Sequence, residues 1–447
     1  MGIRRRSTII TGSSRSNTTL RKLLERESEG RPVWVGVVGA GDYGESLVCQ
    51  LATIPGMSPA AICDLVPERA MAAYEMAGIE GGIPVSSSLS EVDERVASGK
   101  PAICEDLEHL ARSPVEVVVD CTGEPEVGAR LGRIAIEHGK HVVMVNVEAD
   151  VTVGLELARM AEQAEVTYTL ADGDQPSLVV ELVDWSRCLG FETICAGKST
   201  SVRPWEVAKL SLEQKEREGT LTKSNVTYAD VTKTQVEMAS AANACDLTID
   251  TEGMHGPSLP IEAIPGALRS ETDGGILTKT GVIDYVNDLQ MSGDKIENAF
   301  KGMFVVGKTD PERSREVMAS KGVIVSPDKT HTLLYRPYHL VGVETPWSIQ
   351  RATLENTPTA APYVRNVEVV AVAKKAMKAG SLVEGIGTDE VRGLAVTAAD
   401  AEKETWVPAG MMQGCRLKRD IAENDRIRLE DVDPPQDSEV WALRSLA

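Results

Sequence analysis

Residues Gly39-Ala40-Gly41-Asp42-Tyr43-Gly44 follow an apolar run, Val35-Gly36-Val37-Val38, and precede a helix-like stretch from Glu45 to Ile54. Glycines at that spacing between a strand and a helix can cradle a pyrophosphate. The first permits the tight turn, the second lets backbone approach the phosphates, and the third lets helix pack on strand. The helix N-terminus supplies amides and positive dipole. A second apolar strand, Ala60-Ala61-Ile62-Cys63, ends in Asp64, about 20 residues past the last glycine, where a carboxylate can accept both hydroxyls of a ribose. A carboxylate there repels a 2'-phosphate, so Asp64 favours NAD over NADP. Arg69, on the next helix, could reach such a phosphate or could be an ordinary solvated residue.

Three more polar clusters end apolar strands: Asp120-Cys121-Thr122-Gly123, Asn146-Val147-Glu148 and Asp172-Gly173-Asp174. In a parallel sheet the ligand crevice lies beyond the strand C-termini. Cys121, Thr122, Gly123 and Asn146 are therefore candidate cofactor contacts beside Gly39, Gly41, Asp42, Tyr43, Gly44 and Asp64. Glu148, Asp150, Asp172, Asp174 and Glu181 surround the same strand ends. Of these, Glu148, Asp172 and Asp174 are the candidate ligands for Mg²⁺ or Mn²⁺, both of which take hard carboxylate oxygens, though no fixed spacing announces a metal site. Lys198 follows the apolar strand Thr193-Ile194-Cys195-Ala196 and sits between a glycine and hydroxyl residues. A lysine so placed can protonate a developing alkoxide or hold a phosphate; the alternative is a plain loop lysine. Lys279 has a similar setting. His255 and His339 lie in loops beside glycine or proline, where they could touch substrate or support loop structure. Arg336 can fork onto a carboxylate or phosphate, or make a structural ion pair.

The elements that position these residues alternate from Val33 to about Tyr168, with apolar strands separated by amphipathic helices. That pattern predicts an α/β fold: a Rossmann-type, doubly wound parallel sheet covered on both faces. Residues 32–172 form the expected dinucleotide-binding domain, and 173–345 an α+β substrate domain with small-residue loops. A return helix and Pro-rich linker over 346–365 then lead to a small β-rich module over 366–447. In that module Met377-Lys378-Ala379-Gly380-Ser381-Leu382-Val383 is echoed by Ile421-Ala422-Glu423-Asn424-Asp425-Arg426-Ile427. Residues 1–31 read as a flexible Ser/Arg/Thr-rich segment. Its Arg4-Arg5-Arg6 lacks the apolar stretch of an export signal, and Asn17 can cap a short helix from Thr19 to Arg26.

A chain of 447 residues with 47 Lys plus Arg against 67 Asp plus Glu carries a formal charge of −20. Such a surface repels nucleic acid and anionic membranes, so an anionic substrate must meet cations gathered in one place. The eight cysteines form no CxxC pair and sit mostly in apolar runs, as reduced core thiols do. No apolar run reaches the ~20 residues of a membrane helix. A cytoplasmic enzyme on a small-molecule substrate is expected, without nucleic-acid or membrane partners, and homo-oligomeric as such enzymes usually are. No zinc pattern, P-loop or GxSxG elbow is present.

Seven motifs in order carry a family resemblance: Asn146-Val147-Glu148-Ala149-Asp150-Val151-Thr152, Gly173-Asp174-Gln175-Pro176-Ser177, Ala196-Gly197-Lys198, Val236-Glu237-Met238-Ala239 with Ala242-Asn243-Ala244, Gly253-Met254-His255-Gly256-Pro257, Lys279 to Tyr285, and Arg336-Pro337-Tyr338-His339-Leu340. From about residue 31 on, the chain resembles the deoxyxylulose-phosphate reductoisomerase-like proteins, whose nucleotide domain is similar to homoserine dehydrogenase. Ala373 to Leu382 resembles a SAF domain. The resemblance implies NADPH-dependent rearrangement and reduction of 1-deoxy-D-xylulose 5-phosphate to 2-C-methyl-D-erythritol 4-phosphate, a step of isoprenoid biosynthesis. A divalent cation would hold the hydroxyketone oxygens, and Lys198, Lys279, His255, Arg336 and His339 would surround the substrate. The chain departs from that family at Asp64, where the family carries basic residues; an NAD-linked relative would more naturally oxidise its substrate. The alternatives are a homoserine-dehydrogenase-like, sugar-acid or polyol dehydrogenase without rearrangement, and a non-catalytic dinucleotide sensor.

Overall fold

The computed structural model describes residues 18–79, 81–203, 205–290 and 292–445. Arg4-Arg5-Arg6 and the Asn17 cap lie outside the described residues. The described residues gather into two compact units. The first holds the described residues up to Asp150 with Glu156–Asp174 and Leu340–Ala361; the second holds Val151–Leu155, Gln175–His339 and the chain from Pro362.

The first unit is built on a seven-stranded parallel sheet, ordered β3-β4-β2-β1-β5-β6-β7. Its strands are β1 (Val33–Val38), β2 (Met57–Cys63), β3 (Val85–Ser86), β4 (Ala102–Cys104), β5 (Val117–Asp120), β6 (His141–Met144) and β7 (Tyr168–Leu170). Helices α1 (Thr18–Ser28), α2 (Asp42–Leu51), α3 (Pro67–Met76), α4 (Leu89–Ala97), α5 (Leu107–Arg112), α6 (Pro125–Glu137) and α7 (Val147–Gln163) accompany it. The inner strands are apolar along their whole length because both faces are covered, as every residue of β5 is. Strand order reverses between β1 and β5, and the glycine turn follows β1 at that switch. The doubly wound sheet is the one the alternating pattern predicts. From Thr18 on, the segment expected to be loose is a docked helix: Leu23 is buried in the core of this unit, and Arg26 forks onto Glu116 at 2.9 and 2.8 Å. The expected return helix spans Thr345–Glu355 and contributes Ile349 to the same core.

The second unit has a four-stranded sheet ordered β11-β10-β8-β9. It is formed by β8 (Glu192–Thr200), β9 (Val282–Asn287), β10 (Met303–Lys308) and β11 (His331–Arg336), with β8 parallel to β9 and antiparallel to β10. One face packs on an apolar cluster that includes Phe304, Val306 and Leu333. The other is covered by α8 (Gln175–Cys188) and α11 (Thr232–Cys245). Between them in sequence lie α9 (Trp205–Arg217) and α10 (Lys223–Ala229). Helix α11 is buried from Thr232 to Cys245 apart from Lys233, because strands β12 (Val367–Ala373) and β13 (Val391–Thr397) cover it as well. Its polar side chains serve those strands: Thr232 Oγ1 accepts from Gly393 N (2.9 Å), and Gln235 Oε1 from Ala395 N (3.0 Å). The two echoed heptads pair with each other through an antiparallel bridge between Met377 and Ile421. Each turns through a left-handed residue at the same place, Gly380 (φ +84°) in one and Asn424 (φ +68°) in the other.

Candidate active site

The cofactor cradle in the first unit shows what each glycine does. Gly39 has φ +91°, and a Cβ there would lie 3.1 Å from the Cys121 carbonyl, so glycine is required where β1 meets β5. A Cβ on Gly44 would stand 2.0 Å from Gly39 O, which is the close packing of helix on strand. Gly41, at the N-cap of α2, faces open space, with nothing within 4 Å of an added Cβ. Backbone is thus bare where a pyrophosphate would sit. Asp64 stands half-buried at the end of β2; its Oδ2 accepts from Ala40 N at 2.7 Å and its Oδ1 from Val66 N at 2.8 Å. The carboxylate therefore fixes the glycine turn while keeping lone pairs for a ribose.

Asp42 is exposed on the first turn of α2. Tyr43 turns inward: its hydroxyl lies 2.7 Å from Thr345 Oγ1 and 3.4 Å from Asp172 O, and burial followed by the charge of Asp174 raises its pKa. On β5, burial raises the pKa of Asp120 against hydrogen bonds to its carboxylate from the Thr122 N–H and hydroxyl (2.9 and 2.6 Å) and from Asn146 Nδ2 (2.9 Å). Asn146 also caps α7 through Ala149 N at 3.0 Å. Burial and Asp120 keep Cys121 a neutral thiol, and Gly123, with φ +73°, faces open space.

The predicted metal site does not fit. Among the described residues no three His, Cys, Asp or Glu side chains are gathered so that they could hold an ion. Glu148 opens α7 after β6, whereas Asp172 and Asp174 lie in the turn after β7. Being near the ends of neighbouring strands does not converge these acids, and no chemical step is assigned to a metal here.

The second unit brings Lys198 and Arg336 onto one sheet face. Both pair with Met303, and Lys198 also with Tyr285, so Arg336, Met303, Lys198 and Tyr285 form one row facing α8 and α11. Two strand spacings put the cations roughly 10 Å apart at the backbone. Lys198 Nζ donates to Glu237 Oε2 of α11, and the two side chains are 2% and 1% exposed. Arg336 lies 3.8 Å from Glu181 of α8 and stacks over Tyr338 at 5.0 Å. His339 Nε2 is 3.2 Å from Gln175 Nε2 at the start of α8. Gln175 and Lys198 line a polar cavity of about 370 Å³ with Ser199, Thr200, Arg203 and Lys215.

His255 and Lys279 gather around Asp250 instead. His255 Nε2 lies 2.8 Å from Asp250 Oδ2, and Asp250 Oδ1 accepts from the Thr278 hydroxyl at 2.6 Å and Lys279 N at 3.2 Å. Burial pushes the Asp250 carboxyl up, but hydrogen bonds from Thr278 and His255 outweigh it and hold it below its ordinary value. The Lys279 side chain itself is exposed. The loop of His255 is pinned by Asp284, which accepts from His255 N (3.1 Å) and Gly256 N (2.9 Å). Burial raises the pKa of Asp284 despite those bonds.

Sequence reasoning named Lys198 and gave its partner no role. The signal was there: Glu237 is a lone acid in the apolar and small-residue run Val236 to Ala242, and an acid buried in such a helix needs a cation.

Residues 173–345 match the family described as "Oxidoreductase DRL, catalytic domain", and residues 69–171 the one described as "Homoserine dehydrogenase, NAD binding domain". Two curated relatives are a "Glycosyl hydrolase family 109 protein" of Porphyromonas gingivalis, 28% identical over 135 residues, and a "Glycosyl hydrolase family 109 protein 1" of Bacteroides thetaiotaomicron, 33% identical over 135. Each match covers 30% of this chain and 26% of the relative, so the chain spans about a quarter of their length. Among solved structures, a probable dehydrogenase from Thermotoga maritima is 14% identical with TM-score 0.37, over 73% of this chain and 90% of that one. The 1-deoxy-D-xylulose 5-phosphate reductoisomerase of Zymomonas mobilis in complex with NADPH is 18% identical with TM-score 0.35, over 47% and 57%. Both matched families are oxidoreductase domains, so the chain carries a stretch similar to an NAD-binding domain followed by one similar to an oxidoreductase catalytic domain.

Proposed function

We propose that the protein transfers hydride between NAD(P) and a small polyhydroxylated, phosphorylated carbonyl or alcohol, with reductoisomerisation of 1-deoxy-D-xylulose 5-phosphate as its most specific form. The carrying observation is the Lys198–Glu237 pair, buried at the wall of a polar cavity of about 370 Å³. An ammonium has three donors, and Glu237 takes one. The others can bind a carbonyl oxygen and give it a proton as hydride arrives, or take the proton from an alcohol in the reverse direction. Glu237 balances the charge and aims the ammonium. Hydroxyls of Ser199 and Thr200 suit a polyol, while Arg203 and Lys215 supply the cations that a phosphate requires in a chain of charge −20. Asp64 supports NAD over NADP, since a carboxylate at the end of the second strand repels a 2'-phosphate.

Dehydrogenation without a carbon shift is the second reading, and it requires no acid cluster of the kind predicted at Glu148, Asp172 and Asp174, none being gathered among the described residues. The test is nicotinamide absorbance with 1-deoxy-D-xylulose 5-phosphate and NADPH or NADH, with and without Mg²⁺, against Lys198→Ala. Oxidation of the cofactor, lost in the variant, supports the reductoisomerase form. Silence with both cofactors ends it and turns the search to NAD-linked oxidation of sugar acids and polyols.

A further inference from the structure

A second cavity, of about 460 Å³, lies in the same unit beside the first. Arg203 and Ala229 line both; the rest of its wall includes Asp230, Gln235, Tyr285, Lys374, Arg392 and Asn424. Its charges are unevenly matched. Lys374 is held by Asp230 at 2.9 Å and by Thr388 O at 2.7 Å. Arg426, the nearby cation, is held by Glu252 and stacks on Trp406. Among the described residues the guanidinium groups of Arg392 and Arg203 make no hydrogen bond or close ion pair, Asp230 acting on Arg392 only through its charge. Burial lowers the pKa of Arg392, Asp230 opposes that fall, and Arg426 adds to it. Three cations, Arg203, Lys374 and Arg392, thus face two acids, Asp230, which Lys374 engages, and the exposed Glu423, around a space large enough for a small organic molecule.

Two further features of the wall agree. Val231, also lining the cavity, has φ +68°, a left-handed conformation that a β-branched residue rarely adopts. It forms the N-terminus of the 14-residue helix α11, whose dipole favours negative charge. Of the two paired turns of the C-terminal module, the one bearing Glu423 and Asn424 reaches this cavity, and its echo at Ala379 and Gly380 does not line it.

The geometry points to a second small-molecule site here, for an organic oxyanion, a phosphate or carboxylate, forked by Arg392 and Arg203. Tyr285 and Leu394 would cover the carbon skeleton, and Gln235 and Asn424 would meet its hydroxyls. This gives the C-terminal module, which supplies Lys374, Arg392 and Asn424, a part in ligand binding, and it holds whatever reaction the first cavity supports.

The test is calorimetric titration of the full-length protein, saturated with NAD, using inorganic phosphate in one arm and citrate in the other. Arg392→Gln, which borders only this cavity, should weaken binding about tenfold or more, as should Arg203→Gln. Weakening by Arg203→Gln alone puts the anion in the first cavity and overturns the proposal, while Lys321→Gln, exposed and lining neither cavity, should change nothing. Arg203 is exposed, so its loss does not threaten folding, and the melting temperature of each variant without probe checks the fold. Which arm responds tells the headgroup. Unchanged titration in both arginine variants, or no binding of either probe to the wild type at millimolar concentration, overturns the proposal.

Discussion

The pair Lys198–Glu237 couples chemistry to folding. Two charges taken out of water are tolerated only because each has the other, and removing one partner of such a pair typically costs about 3–5 kcal/mol. Lys198→Met should therefore lose both activity and roughly that much stability in urea unfolding, and adding Glu237→Met should return most of the stability but none of the activity. If the single variant is as stable as wild type, the pair is not buried as described. The sequence made Lys198 legible as a polar residue ending an apolar strand between Gly197 and Ser199. It did not make the distance to Glu237 legible, because that contact depends on a helix 39 residues away. The same reason explains His255 and Lys279. Both are loop residues in sequence, but only the fold shows that they meet at Asp250, a residue with no motif of its own. The metal reading finds no support in the structure for the converse reason. Acids that close neighbouring strands share an edge of the sheet, yet side-chain convergence is a property of turns, which spacing does not fix.

At the level of elements, the strand–turn–helix at Val33 to Leu51 was legible because glycine has few substitutes in it, and each glycine makes a different prediction. An alanine at Gly44 would drive its Cβ to 2.0 Å from Gly39 O, so Gly44→Ala should lower the melting temperature, by a ΔΔG of about 1–3 kcal/mol for overpacking. An added Cβ at Gly41 meets nothing, and its φ of −76° suits any residue. Gly41→Val should hence leave stability within about 0.5 kcal/mol and weaken NAD binding, read as NADH fluorescence titration, by about tenfold or more. A melting temperature depressed equally in both would mean that Gly41 serves the fold alone. Less legible was where α11 belongs. Its sequence is apolar and small all round, which marks a helix covered on every side, but the linker at Thr357 to Pro362 suggested a separate module beyond it. The structure groups Pro362 onward with the second unit, because the N–H groups of Gly393 and Ala395 find their acceptors on Thr232 and Gln235 of α11. Side-chain acceptors for a distant strand leave no periodic trace in sequence.

Across the whole molecule the dominant electrostatic fact is the charge of −20, and it acts on any anionic ligand before a contact is made. The cofactor is itself an anion. Its cradle offers bare backbone amides at Gly41 and a carboxylate at Asp64, flanked by Asp42, Glu45 and Glu68 with Arg69 as the nearby cation. Local attraction is therefore short-range, from amides and helix dipole that fade within a turn, whereas repulsion from the net charge reaches as far as the ionic strength allows. That reach is about 30 Å at 0.01 M salt and about 8 Å at 0.15 M. The association rate of NADH, followed by stopped-flow fluorescence, should rise several-fold between those two concentrations, with the dissociation rate changing far less, since steering acts on encounter. A rate that falls with salt would show that a positive field outside the cradle gathers the cofactor in, and the net charge would then not govern its approach.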